Sequence, residues 1–236
     1  MQKIEEGLGM FDSKYSDILT VVLIVVIIAI IGLLGFWAYD VYSRNSANNQ
    51  AGEAINEFEN QITNRNNTTK NNNTDVGTVE KPNVNGISTD VTNTVNAGGT
   101  SKQTYKGFVM VGYIEIPKTG IKYPVLEEAT KKSIEVSVAI LYGPGLNKVG
   151  NTVIEGHNYR NGMFFSDNAK IAVGDKIYIT DLNGNKVTYI VYNTYETTPE
   201  DSDYMSRDTN GAMEITLLTC NDDVSGRIII WARAEQ

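Results

Sequence analysis

Cys220, His157 and Arg227 supply a thiol, an imidazole and a guanidinium, and the sequence holds a single cysteine and a single histidine. Such a set can attack a carbonyl, shuttle a proton and hold the oxyanion that forms. Cys220 closes the strand-like run Ile215-Thr216-Leu217-Leu218-Thr219-Cys220, and Arg227 opens the apolar run Ile228-Ile229-Ile230-Trp231. Any Cys/His chemistry must use these residues. Taken singly each has a plainer reading: a strand-terminal cysteine is often a small buried apolar residue, and a strand-edge arginine an ion-pair partner.

The elements that must position them are mostly strands. Val109 to Ile116, Ile121 to Val125, Val136 to Tyr142, Asn151 to His157, Lys176 to Thr180, Lys186 to Tyr192, Glu214 to Cys220 and Arg227 to Ala232 are rich in β-branched and aromatic residues. Eight short strands in residues 107–236 predict an all-β barrel or sandwich with one hydrophobic core. The Asn183-Gly184 pair between two alternating runs predicts a hairpin. Short helices are expected near Thr130 to Ile134 and Asp167 to Ile171.

Ahead of this domain the composition changes twice. Ile18 to Tyr39 carries no charge, and at about 1.5 Å per residue it reaches about 33 Å, enough for a bilayer core of roughly 30 Å. The stretch is too long for a signal-peptide core and reads as an uncleaved anchor, residues 18–39. Lys3 and Lys14 precede it and Arg44 follows, which places residues 1–17 in the cytoplasm and the C-terminal domain outside. Residues 40–106 read as an extracellular linker. Its first part, Ser46 to Asn60, is expected to be amphipathic, with Ala47, Ala51, Ala54, Ile55, Phe58 and Ile62 near helical spacing. The Asn/Thr-rich remainder is expected to be a flexible tether.

Composition excludes other chemistry. The net charge of −8 argues against a nucleic-acid partner. One cysteine and one histidine cannot build a zinc site, and Gly143-Pro144-Gly145 lacks the Lys-Ser/Thr of a phosphate loop. No cofactor is expected. Calcium at Glu200, Asp201 and Asp203 is left open, a solvated acidic loop being the simpler reading.

Thr216-Leu217-Leu218-Thr219-Cys220 resembles the TLxTC motif of sortases, the membrane-anchored cysteine transpeptidases of Gram-positive bacteria. The resemblance continues in Tyr113-Ile114-Glu115-Ile116-Pro117, Tyr123-Pro124-Val125, the histidine strand Gly150 to Asn158, and Gly174-Asp175-Lys176-Ile177. It implies an eight-stranded sortase-type β-barrel behind a transmembrane helix and a flexible linker. It further implies Cys220 as nucleophile, His157 as general acid and then base, and Arg227 as oxyanion holder. The implied partners are a sorting-signal peptide of LPxTG type and a cell-wall peptidoglycan precursor amine. Thr219, with Thr198, Pro199 and Tyr204 from the loop Asn193 to Ala212, is the expected substrate-binding set.

Subclass stays open. No proline follows an aspartate, so the Asp-Pro-aromatic lid of pilin-polymerising sortases is missing, and the sequence from Arg227 to Gln236 holds no second anchor. Asn158 to Phe165 resembles class B, whereas the compact interval from His157 to Cys220 is more like class A, D or E. The alternative from another class is a tethered, non-catalytic β-barrel that binds wall polymer or peptide.

Overall fold

The computed structural model describes residues 5–71 and 102–235, with side chains in the helix described from Tyr15 to Arg65 except Ser16. The chain opens with α1 (Glu5–Asn71). Nine strands follow: β1 (Thr104–Tyr105), β2 (Phe108–Ile116), β3 (Ile121–Leu126), β4 (Val138–Tyr142), β5 (Gly150–Glu155), β6 (Lys176–Asp181), β7 (Lys186–Thr197), β8 (Met213–Cys220) and β9 (Arg227–Ala234). The expected tether falls largely on residues 72–101, outside the described residues.

Contacts divide the chain into one unit up to Ser46 and another from Ala47. In the first, the large apolar side chains from Ile18 to Tyr42 are exposed. By length and composition this helix can cross a membrane, and it is a candidate anchor.

In the second unit the sheet runs β1-β2-β3-β4-β5-β8-β9-β7-β6, and β6 returns to pair with β2. Strands β2 to β9 therefore close into an eight-stranded barrel, leaving β1 as a short addition on β2. Closure removes the free edges that would otherwise template aggregation. Ile114, Ile116, Val125, Ile154, Ile177, Ile179, Leu217 and Ile230 belong to the large interior cluster.

All eight expected strands are present, and the Asn183-Gly184 hairpin joins β6 to β7. There Asp181 Oδ1 accepts the N–H of Asn183 at 2.8 Å, and Gly184 takes a φ of 80°. Strand β7 runs five residues past the expected end at Tyr192. After a bulge between Val191 and Asn193 it keeps pairing with β9 as far as Thr197↔Arg227. The loop before β8 is correspondingly shorter than expected. The helix expected near Thr130 is a run of turns instead, where Ser133 and Thr130 exchange side-chain-to-backbone hydrogen bonds of 2.7 and 3.1 Å beside the single-turn Ile134 N–H bond to the Thr130 carbonyl. Near Asp167 only a 3-10 turn forms, at Asn168–Lys170.

The amphipathic stretch does more than link. Ala51, Ile55, Phe58 and Ile62, at helical spacing along α1, are buried against the barrel. Ile55, Phe58 and Ile62 form a cluster with Met110 and Tyr113 of β2, where the Phe58 and Tyr113 rings meet edge to face at 6.2 Å. Tyr113 donates to Glu59 at 2.7 Å, and Gln103 donates to the Ala54 carbonyl at 3.2 Å. Burying Phe58 alone contributes about 1.5–3 kcal/mol.

Candidate active site

One parallel and two antiparallel pairings decide where the chemistry sits. Strand β5 lies parallel to β8 with Glu155 opposite Leu218, and the Gly156 N–H extends the ladder to the Leu218 carbonyl at 3.1 Å. Strand β5 ends at Glu155, and carrying its register two residues on sets His157 level with Cys220, the last residue of β8. Across the antiparallel β8–β9 pair Cys220 faces Arg227, and across β9–β7 Arg227 faces Thr197. His157, Cys220, Arg227 and Thr197 thus form one lateral row at the end of the sheet, although 157 and 220 are far apart in sequence.

Alternation then fixes the faces. Ile154, Ile215, Leu217, Ile228 and Ile230 point into the barrel, while Val153, Leu218 and Ile229 pack on the outer face with Tyr204, flanked by Leu141, Tyr195, Met205 and Trp231. Cys220, Arg227 and His157 share that outer face by parity. The next row along is Glu155, Leu218, Ile229 and Tyr195; the row after it is Val153, Thr216, Trp231 and Asn193. This face therefore mixes an apolar cluster, covered by Tyr204, with the polar Glu155, Thr216 and Asn193, and Cys220 lies at its end.

Local chemistry pins the row. Gly156 has to be glycine: a Cβ there would meet Val138 Cγ1 at 2.7 Å and Phe165 Cδ2 at 2.8 Å. The Asn158 amide donates to the Cys220 carbonyl at 3.1 Å and to Asp222 at 2.9 Å, tying the end of β5 to the turn after β8. The Tyr159 ring lies against the His157 ring, with centroids 5.0 Å apart. Asn221 and Gly226 close the β8–β9 turn through hydrogen bonds of 3.0 and 3.1 Å, and Arg227 Nη1 donates to the Gly226 carbonyl at 3.1 Å. Cys220, His157 and Arg227 are all half-buried, so the thiol is neither sealed in the core nor fully solvated.

The expected substrate-binding residues separate. Tyr204 is buried against Val153, Leu218 and Ile229, on the groove face. Thr198 and Pro199 are exposed on the loop beyond Thr197. Thr219 is buried on the opposite parity from Cys220, facing Ile228 across the ladder, and does not reach the groove. Of the acidic loop, Asp201 accepts the Thr197 hydroxyl at 2.6 Å and the Asp203 N–H at 2.9 Å, and the Thr197 bond holds its carboxyl below the usual range. Among the described residues no three His, Cys, Asp or Glu side chains gather as a cation site.

Sequence reasoning missed the clamp that holds the loop carrying Tyr204. Glu214, fully buried, takes Arg207 on one carboxylate oxygen and Arg233 on the other, the Arg233 Nε at 2.7 Å. Tyr192 also donates to Glu214, at 2.8 Å, and the Arg207 guanidinium lies 4.5 Å from the Trp231 ring centroid. Burial pushes the Glu214 carboxyl up, but these hydrogen bonds outweigh it and the net shift is downward. Asn151 completes the clamp by donating to the Tyr204 and Met205 carbonyls at 2.9 and 3.0 Å. Depressions of about 450 and 570 Å³ lie toward the start of β5, and neither is lined by His157, Cys220 or Arg227. The triad sits on an open surface instead.

Comparison with known proteins agrees with this geometry. The model of the sortase domain matches residues 114–235. Sortase A of Bacillus anthracis is 34% identical over 132 residues, covering 56% of this chain and 59% of that protein. Sortase A of Listeria monocytogenes is 28% identical over 118 residues, covering 50% and 52%. The chain thus spans a little over half the length of these curated relatives. Among solved structures, a Clostridium perfringens sortase D5 transpeptidase superposes with a TM-score of 0.50 at 26% identity, over 54% of this chain and 80% of that one. Sortase A of Corynebacterium diphtheriae gives 0.50 at 26% identity, over 55% and 62%. A domain model that matches more than half of the chain, on a barrel that brings the lone thiol and lone imidazole level, places this chain in the sortase family.

Proposed function

We propose that this chain is a cysteine transpeptidase that cleaves an LPxTG-like sorting signal and joins the new carboxyl end to a cell-wall amine. The observation that supports it most is Cys220 facing Arg227 across β8–β9, with His157 two residues past the β5–β8 register, beside the apolar cluster of Val153, Tyr204, Leu218 and Ile229. In this reading the Cys220 thiolate attacks the scissile carbonyl, and the charge that develops on its oxygen is held by Arg227, whose guanidinium is permanently charged and offers several donors in one plane. As the C–N bond breaks, His157 gives its proton to the departing amine and leaves a thioacyl enzyme. An incoming amine then attacks the thioester, His157 takes its proton, and Cys220 departs as thiolate.

In this reading the loop bearing Tyr204 shifts to open an apolar seat over Leu218 and Ile229 for the acyl side of the peptide, with the exposed Thr198 and Pro199 on the same loop. Asp201 is already engaged by Thr197 and Asp203, so the reaction is proposed to run without calcium and to survive EDTA. The apolar helix would hold the enzyme on the outer face of the membrane. Incubating the full chain in detergent micelles with sorting peptides and amine nucleophiles, beside Cys220→Ala, tests the reading. Wild type should release the peptide's C-terminal fragment and form a Cys220 thioester seen by mass spectrometry. If wild type and Cys220→Ala behave alike toward every peptide, the transpeptidase reading is lost and a non-catalytic binding barrel replaces it.

A further inference from the structure

Glu155 is a half-buried carboxylate on the groove floor, one row in from the thiol. It precedes His157 by two residues on the same strand, so both side chains leave the sheet on one face, about 7 Å apart along the strand. Its other neighbours are Ala139 on β4 and Leu218 on β8. Neither can pair a charge. Among the described residues Glu155 forms no salt bridge, although His157 and Arg227 both act on it through space and Tyr204 feels its charge in turn. Those three, with Asp201 beyond Tyr204, are the titratable or charged groups that the facing elements bring near.

Two cations beside one sulfur create a conflict. Arg227 and a protonated His157 repel each other, and Arg227 cannot release its charge. A carboxylate within reach of both offsets that repulsion and helps keep the proton on His157. Burial pushes the Glu155 carboxyl up, and His157 and Arg227 pull it back only in part, which is the reciprocal sign of the same interaction.

We propose that Glu155 is a positioning residue that holds His157 in its protonated form beside the Cys220 thiolate, countering the charge of Arg227. The proposal rests on the transpeptidase reading, and one of its two measurements does not need turnover. Because Cys220 is the only cysteine, iodoacetamide alkylation of the full chain in micelles reads one thiol. Removing a negative charge near both groups makes each lose its proton more readily, His157 most, as it is nearest.

In Glu155→Gln the pH profile of alkylation should move to lower pH. The bell of kcat/KM should move the same way, its alkaline limb by about half a unit or more, roughly threefold in the protonation equilibrium. The kcat should fall with KM little changed, and Glu155→Asp should restore most of the wild-type profile. A Glu155→Gln protein whose alkylation profile and bell both stay in place, or that differs only in thermal stability, overturns the proposal. Absence of turnover in wild type with every peptide would defeat the transpeptidase reading instead, while the alkylation profile would still judge Glu155.

Discussion

Replacing Arg207 by alanine tests whether the loop over the groove is held by charge buried far from the chemistry. Arg207 reaches Glu214, Tyr192, Asn151 and Thr216 and stacks over Trp231, with only 13% of its side chain exposed against 0% for Glu214. Truncation removes the guanidinium and leaves Glu214 with Arg233, whose side chain is 51% exposed and thus a well-solvated, weaker partner. Breaking a buried pair costs about 3–5 kcal/mol. The surviving Arg233 and Tyr192 bonds place this site at the lower end, about 3 kcal/mol. At about 2–4 °C per kcal/mol for a domain of this size, the melting temperature should fall by roughly 6–12 °C. The loop also carries Tyr204, so KM for the sorting peptide should rise severalfold at a temperature where the fold is intact. Arg207→Lys should rescue little, because an ammonium cannot supply the planar fork or the stack on Trp231. Thermal denaturation followed by circular dichroism, with peptide titrations below the transition, measures both effects. A melting point within about 2 °C of wild type together with an unchanged KM would refute the clamp.

Three further expectations come from other parts of the barrel. Asn158→Ala removes the tie from the His157 strand to the Cys220 carbonyl and Asp222, so kcat/KM in the peptide assay should drop about tenfold while stability falls by only about 1–2 kcal/mol. Phe58→Ala opens a cavity between α1 and β2 and should cost about 3–5 kcal/mol in urea or thermal melts, with activity retained wherever the protein stays folded. For Glu214 the native carboxyl sits below its ordinary value of 4.5, so its charge adds stability above that pH and the contribution is lost as pH falls through the lowered native value. Wild type should therefore exceed Glu214→Gln in melting temperature most at neutral pH, with the gap closing below about pH 4 as both carboxamide and acid become neutral.

The strands and the reactive residues were legible because each leaves a local mark. Alternation and β-branching gave β2 to β9, and Asn183-Gly184 gave the hairpin. What escaped depends on pairing across the sheet. The extension of β7 to Thr197 is stabilised by the ladder to β9 after a bulge, and no short window of residues 193–197 shows that partner. The inward turn of Thr219 could have been read, since it alternates with Cys220, yet its place beside Cys220 suggested proximity that strand parity denies. Glu155 carried a usable signal: two residues before a histidine on a strand means the same face. Arg207 carried none, because its partners Tyr192, Glu214 and Trp231 come from three strands that only the barrel brings together. The docking of Ile55, Phe58 and Ile62 was visible as amphipathicity, but the surface that receives them, Met110 and Tyr113, was not.

The same sheet face carries charge at both ends for opposite reasons. At the level of Glu214 the charges are buried, mutually paired and saturated with hydrogen bonds, as a stabilising cluster requires. At the level of Cys220 the side chains are half-buried, and among the described residues His157 and Arg227 form no salt bridge. Six residues of β8 separate the two levels, about 20 Å at roughly 3.3 Å per residue, so direct electrostatic coupling between them is small. The loop bearing Arg207 and Tyr204 is the physical bridge, since Arg207 ends in one level and Tyr204 packs over the floor leading to the other. A double-mutant cycle of Arg207→Ala with Glu155→Gln should then be additive in stability and in KM, because Arg207 acts on peptide binding through the loop while Glu155 acts on kcat. Non-additivity in either quantity would mean that the two levels are coupled by a route other than the loop.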